Sequence, residues 1–200
     1  MQKGHTIKSV DPGSIADELG LEPGDRLLSI DGHELEDIFD YEYYTENESI
    51  MVVIAKKNGE EWELDIENDY QDLGLTFENG LMSDYKSCHN KCVFCFIDQM
   101  PKGMRETLYF KDDDSRLSFL QGNYVTLTNM KDKDIERIIK FKLAPINISV
   151  QTTNPELRCK MLHNRFAGEA LKKIDRLYEA GTPMNGQVVM CKNLNDGDHP

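Results

Sequence analysis

Cys88-His89-Asn90-Lys91-Cys92-Val93-Phe94-Cys95 sets three cysteines within eight residues at the spacing C-x3-C-x2-C. Three thiols so close in sequence cannot all face one apolar interior, so the spacing points to a shared ligand. Two ligands stay open. Zinc at a structural site takes four tetrahedral donors, which would draw in His89, Cys159 or Cys191. A four-iron cubane takes one thiolate per iron, and three cysteines leave the fourth iron free to bind another molecule.

Downstream of this loop, strand and helix patterns alternate. Tyr124 to Thr128 alternates like a strand, and the acidic first turn Asp132, Asp134, Glu136 opens a helix that puts Ile135, Ile138, Ile139 and Leu143 on one side. Ile146 to Val150 reads as the next strand. Asn154 caps a helix with Pro155 at its first position, and Ala167 to Ala180 forms a longer helix ended by Gly181. Met184 to Met190 is the following strand. Such an order implies a parallel sheet, doubly wound or barrel, with ligands at the carboxyl ends of its strands. Between the cysteines and this region, Gln99 to Ser115 is a long connection broken by Pro101 and Gly103, and Asp112-Asp113-Asp114 reads as a solvated loop. Cys159 and Cys191 read as small buried hydrophobes, and His5, His33, His163 and His199 as surface groups.

Upstream, the pattern is different. Ser14 caps a short helix through Ala16 and Leu19 that stops at Gly20, Arg26 to Ile30 reads as a strand, and Asp37 to Tyr44 as a second helix. Ile50 to Lys56 and Trp62 to Ile66 form a hairpin across Asn58-Gly59. Charge marks the same division. Residues 1 to 70 hold 5 basic and 19 acidic side chains, residues 71 to 200 hold 18 and 17, and the net charge of the 200-residue chain is −13. The chain divides into a β-rich unit at 1–68 and an α/β unit at 69–200. So acidic a first unit repels nucleic acid and anionic membranes, and no basic footprint for DNA or RNA exists elsewhere. The longest apolar run, Ile50 to Ala55, is far too short to cross a bilayer. The opening Met1-Gln2-Lys3-Gly4-His5 lacks a signal-like apolar core, and five cysteines at uneven spacing suit a reducing compartment, so the expected location is cytoplasmic.

In the first unit, Pro12-Gly13-Ser14-Ile15-Ala16, Gly20-Leu21, Gly24-Asp25 and Ile30-Asp31-Gly32 resemble a bacterial-type PDZ domain. That resemblance implies a protein or peptide partner, taken up as an added strand beside the second helix with its terminal carboxylate on backbone amides of a Gly-containing loop. Lys3-Gly4-His5 would be that loop, and Gly4, His5 and Ile7 the docking residues.

The cysteine loop, with an aromatic residue before its third cysteine, resembles that of the radical S-adenosylmethionine superfamily. The longer stretch from Cys88 to Gly103, then Lys111 to Leu120 and Gly122 to Asn129, is similar to one bacterial family that joins a PDZ-like domain, a radical S-adenosylmethionine core and a C-terminal domain of unknown function. The resemblance implies the first half of a partial (β/α) barrel, truncated at Pro200. It also implies a [4Fe-4S] cluster on Cys88, Cys92 and Cys95, with S-adenosylmethionine on the open iron. An electron from an external donor would split the sulfonium C–S bond, and the resulting 5′-deoxyadenosyl radical would abstract hydrogen from an unknown substrate. Phe94 would lie near the adenine. Where the superfamily has Gly-Gly-Glu, this chain has Gln121-Gly122-Asn123, so Gly122 and Asn123 would face the cofactor's amino group. Ser149, Gln151 and Gln187 at strand ends, and Arg158 as a fork for the carboxylate, complete the expected cofactor set. The reading from another class is a peptide-docking module fused to a redox or structural metal domain without radical chemistry.

Overall fold

In the computed structural model, which describes residues 4–197, the chain forms two compact units, Met1–Asp84 and Tyr85–Pro200. The expected division at 68 therefore falls inside the first unit. The segment after it, Leu73 to Met82, returns to pack in the first core, which sequence composition does not register.

The first unit is built from β1 (His5–Val10), α1 (Ile15–Glu18), β2 (Arg26–Ile30), β3 (His33–Glu34), α2 (Ile38–Thr45), β4 (Ser49–Ala55), β5 (Glu61–Glu67) and β6 (Leu75–Phe77). Its antiparallel sheet runs β5-β4-β2-β1-β6, with β3 on β2. The helices begin where side chains satisfy the free N–H groups of the first turn. Ser14 Oγ accepts from the Asp17 N–H, and Asp37 closes a capping box with Asp40. β4 and β5 pair without a break from Ser49↔Glu67 to Ala55↔Glu61. The turn between them uses Gly59 at φ +92°. Ile7, Leu27, Ile30, Val52, Ile54, Leu73 and Phe77 fill the core. Asp25, fully buried, is matched by Lys56 at 2.6 Å and by the N–H groups of Glu22 and Lys57.

In the second unit a short 3-10 turn (Glu106–Tyr109) interrupts the long connection before α3 (Ser115–Gln121), α4 (Asp132–Lys140), β7 (Ile146–Ser149), α5 (Pro155–Leu162), α6 (Leu171–Glu179) and β8 (Met184–Gln187). β7 and β8 pair in parallel from Ile146↔Met184 to Ser149↔Gln187. The expected strand at Tyr124 to Thr128 is reduced to one parallel bridge, Val125↔Ile148. Two features end it: the Thr126 N–H turns to the Asp113 carboxylate at 2.6 Å, and Leu127 takes φ +62°. Val125, Leu127, Ile135, Ile138, Ile146, Ile148 and Leu177 form the core beneath. Mixed helices and strands are present, with the parallel pairing that the alternation predicts. Among the described residues no helix is long and apolar enough to cross a membrane.

Candidate functional site

The three cysteines lie on a loop without regular structure that backbone bonds pin at both ends. The Cys88 N–H donates to the Lys111 carbonyl at 2.8 Å, and the Lys91 and Val93 N–H groups donate to Leu162 and Met161 at the end of α5, at 3.0 and 2.9 Å. Cys92 and Phe94 pack against Met161, Leu162 and Ala167, together with Cys159 and Cys191. All five cysteines are free and half-buried, whereas His89 is exposed.

Burial raises the Cys88 thiol, with Asp113 adding to it, although N–H groups of Asn90 oppose the shift. Cys92 is pushed up to about 12, first by burial and then by the neighbouring Cys88 and Cys95. Were Cys88 and Cys92 to ionise, their like charges would favour a cationic partner. Lys111 supplies part of that charge. Burial alone would lower its pKa, but its bond to Asp98 and the proximity of Cys95 and Cys88 raise it.

Among the described residues no three His, Cys, Asp or Glu side chains converge on a point that one metal ion could take. A cubane has no need of such convergence, because each thiolate binds its own iron at a separate corner. Three closely spaced cysteines on one anchored loop are a donor set that fits such a cluster. A cavity of about 640 Å³ opens beside α5 and α6, lined by residues such as Pro155, Cys159 and Gly168, and touches none of the loop cysteines.

Around the loop, the other expected residues divide. Ser149 and Gln151 meet at the end of β7, where Gln151 Nε2 donates to Ser149 Oγ at 2.6 Å. Gln151 is buried at φ +69° and accepts the Val189 N–H at 2.7 Å, which knits the ends of β7 and β8 together. Gln187 is exposed, and its carbonyl accepts from the Val150 and Gln151 N–H groups. Gly122 is the left-handed cap of α3, and its carbonyl accepts from Asn147 Nδ2 at 2.8 Å. The Asn123 amide donates to Asp112 at 2.7 Å.

Arg158 differs from expectation. It is fully buried, and its donors go to four backbone carbonyls: Val150, Ala167, Thr126 and Ser149. It braces strand ends and has no fork open to a carboxylate. The aspartate run also differs, since Asp113 and Asp114 are buried. Asp114 caps α3 and pairs with Arg116 at 2.6 Å. Burial pushes Asp113 up to about 6 despite its two bonds from Thr126. Flanking Lys111 and Arg116 make this run read as solvated loop, and long-range partners such as Thr126 leave no local signal. Asn90, buried between two of the cysteines, was passed over for the same reason.

In the first unit, β1 pairs on both edges, with β2 and with β6. Ile7 is buried in the core, so β1 offers no edge to an added strand. Gly4 lies against Leu27 and Leu28, where a Cβ would come within 2.6 Å of the Leu27 carbonyl oxygen, and His5 Nε2 bonds the Leu35 carbonyl. Lys3 and His199 lie outside the described residues. β6 meets α2 through one ring pair, Tyr41 and Phe77, edge to face at 5.1 Å. Just before β6, Asp72 Oδ1 takes both the Gly74 N–H at 3.0 Å and the Tyr41 hydroxyl at 3.1 Å.

The family model of the Radical SAM-like domain matches residues 67–199, and that of the PDZ domain matches residues 6–56. The chain belongs to the Radical SAM-like domain family and carries an N-terminal PDZ domain. Solved structures similar to it are the PDZ domains of the SdrC-like proteins of Listeria monocytogenes and Listeria innocua. The first is 19% identical, spans 42% of this chain and 97% of its own, and has a TM-score of 0.34. The second is 16% identical, spans 38% and 96%, and has a TM-score of 0.33. No curated protein matches.

Proposed function

We propose that the second unit belongs to an enzyme of radical S-adenosylmethionine chemistry, with Cys88, Cys92 and Cys95 holding a [4Fe-4S] cluster whose fourth iron binds the cofactor. The observation that carries this reading is the anchored loop with three cysteines at C-x3-C-x2-C in a chain of this family. When bound, the cluster supplies the electron for reductive cleavage of S-adenosylmethionine. The chain's own groups then hold and shield the site. Phe94, fixed on Met161 and Leu162, offers an aromatic face to the adenine. Gly122, Asn123, Ser149, Gln151 and Gln187, at the end of α3 and the ends of β7 and β8, offer backbone and side-chain polar groups to the rest of the cofactor. Arg158 is withdrawn from this set, because its bonds to four carbonyls support the strand ends instead. The electron comes from an external donor, the reaction takes place in the reducing cytoplasm, and the strands seen here form part of a partial (β/α) barrel.

Anaerobic reconstitution of the chain with iron and sulfide, followed by reduction with S-adenosylmethionine present, tests the reading. About four irons per chain and release of 5′-deoxyadenosine are expected. Zinc retained in place of iron would favour a structural metal domain attached to the PDZ domain.

A further inference from the structure

Asn90 is 3% exposed although it sits in an irregular loop. A buried primary amide has two N–H donors and one acceptor to satisfy. Here Oδ1 accepts from Asn164 Nδ2 at 2.7 Å and from Thr128 Oγ1 at 3.3 Å. Nδ2 faces Thr128 Oγ1 at 2.9 Å, Thr126 Oγ1 at 3.0 Å and Cys88 Sγ at 3.4 Å. The backbone N–H of Asn90 meets the same sulfur at 3.4 Å.

The orientation of this amide follows from a backbone group whose role is unambiguous. The Phe166 N–H donates to Asn164 at 2.9 Å, so the Asn164 atom there is its oxygen and the other is its NH2. That NH2 must meet an acceptor, which places the Asn90 oxygen toward Asn164. The Asn90 NH2 is thereby turned toward Cys88.

We propose that Asn90 is a positioning residue that directs a side-chain and a backbone N–H at the Cys88 sulfur and so raises the reduction potential of the group the cysteines hold. The inference rests on the iron–sulfur reading above. Hydrogen bonds to a coordinating sulfur withdraw electron density from it and stabilise the more negative, reduced state. Thr126, Thr128 and Asn164 act on the cluster through Asn90, by fixing the amide.

The test is a redox titration followed by electron paramagnetic resonance on the anaerobically reconstituted full chain. Asn90→Ala is expected to keep the wild-type iron and sulfide content and to shift the potential downward. Asn90→Asp, which loses the donor and adds negative charge, shifts it further. An Asn90→Ala protein with full iron content and unchanged potential would overturn the proposal. Should Asn90→Ala fail to fold, Asn164→Ala leaves Asn90 and the cysteines in place while removing the donor that orients the amide. A lowered potential in that variant supports the proposal and an unchanged one overturns it. Failure of the wild-type chain to take up iron would instead remove the iron–sulfur reading itself.

Discussion

Arg158 donates through its Nη2 to the carbonyl of Thr126 at 2.9 Å, across 32 residues of chain. Asp113 holds the N–H and hydroxyl of the same Thr126, each at 2.6 Å. Between them the two side chains fix the backbone that follows the Val125 bridge, one strand away from β7. Replacing Arg158 with Leu leaves four carbonyls without their donor and removes a positive charge that holds the Asp113 pKa down. A loss of about 3–5 kcal/mol is expected, since each buried carbonyl left without a donor costs about 1–3 kcal/mol. Urea unfolding followed by far-ultraviolet circular dichroism measures it. A loss under about 1 kcal/mol would return Arg158 to the candidates for cofactor binding.

The Asp25–Lys56 pair gives the first unit a defined response to acid. Burial raises the Asp25 pKa, but bonds from Lys56 and from the Glu22 and Lys57 N–H groups outweigh it and hold the carboxyl below its ordinary value. A depressed carboxyl contributes stability above its unfolded pKa of about 3.9 and loses it as the pH falls through the folded value. The first unit should therefore weaken below about pH 4. Asp25→Ala should cost about 3–5 kcal/mol at neutral pH and abolish that acid step. Trp62, the chain's single tryptophan, lies 4.4 Å beneath Lys56 Nζ and reports the change by fluorescence.

Gly74 joins the end of the hairpin region to β6 at φ +77°, and a Cβ there would stand 2.3 Å from that of Ser14. Gly74→Ala combines backbone strain with overpacking, and a loss of roughly 2–4 kcal/mol is expected. Urea unfolding followed by Trp62 fluorescence measures it. An unchanged midpoint would mean that Gly74 does not pack against Ser14.

Each of the three loop cysteines should be indispensable and the other two dispensable. Cys88→Ala, Cys92→Ala and Cys95→Ala are each expected to lose the visible absorbance of the reconstituted protein, whereas Cys159→Ala and Cys191→Ala keep it. Loss of metal on replacing Cys159 or Cys191 would point to a fourth thiolate ligand and a closed site.

What the sequence makes legible here is local. Ser14, Asp37 and the Asn154-Pro155 pair mark helix starts because a cap acts within three residues of itself. The Asn58-Gly59 hairpin is readable because its strands are adjacent in sequence. β6 is not, since three residues pair with a strand almost seventy positions earlier. Tyr124 to Thr128 misleads because its alternation is genuine, while its end is set by Asp113 from outside the segment. The cysteine spacing identifies the loop, but the partners that orient it, Asn90 with Thr126, Thr128 and Asn164, come together only on folding.

A cubane held by Cys88, Cys92 and Cys95 alone would leave one iron open to S-adenosylmethionine. Titrating S-adenosylmethionine into the reduced, reconstituted chain while recording its electron paramagnetic resonance spectrum tests this most directly. Saturable change in the spectrum is the predicted result. A cluster whose spectrum stays the same at every cofactor concentration would contradict the claim.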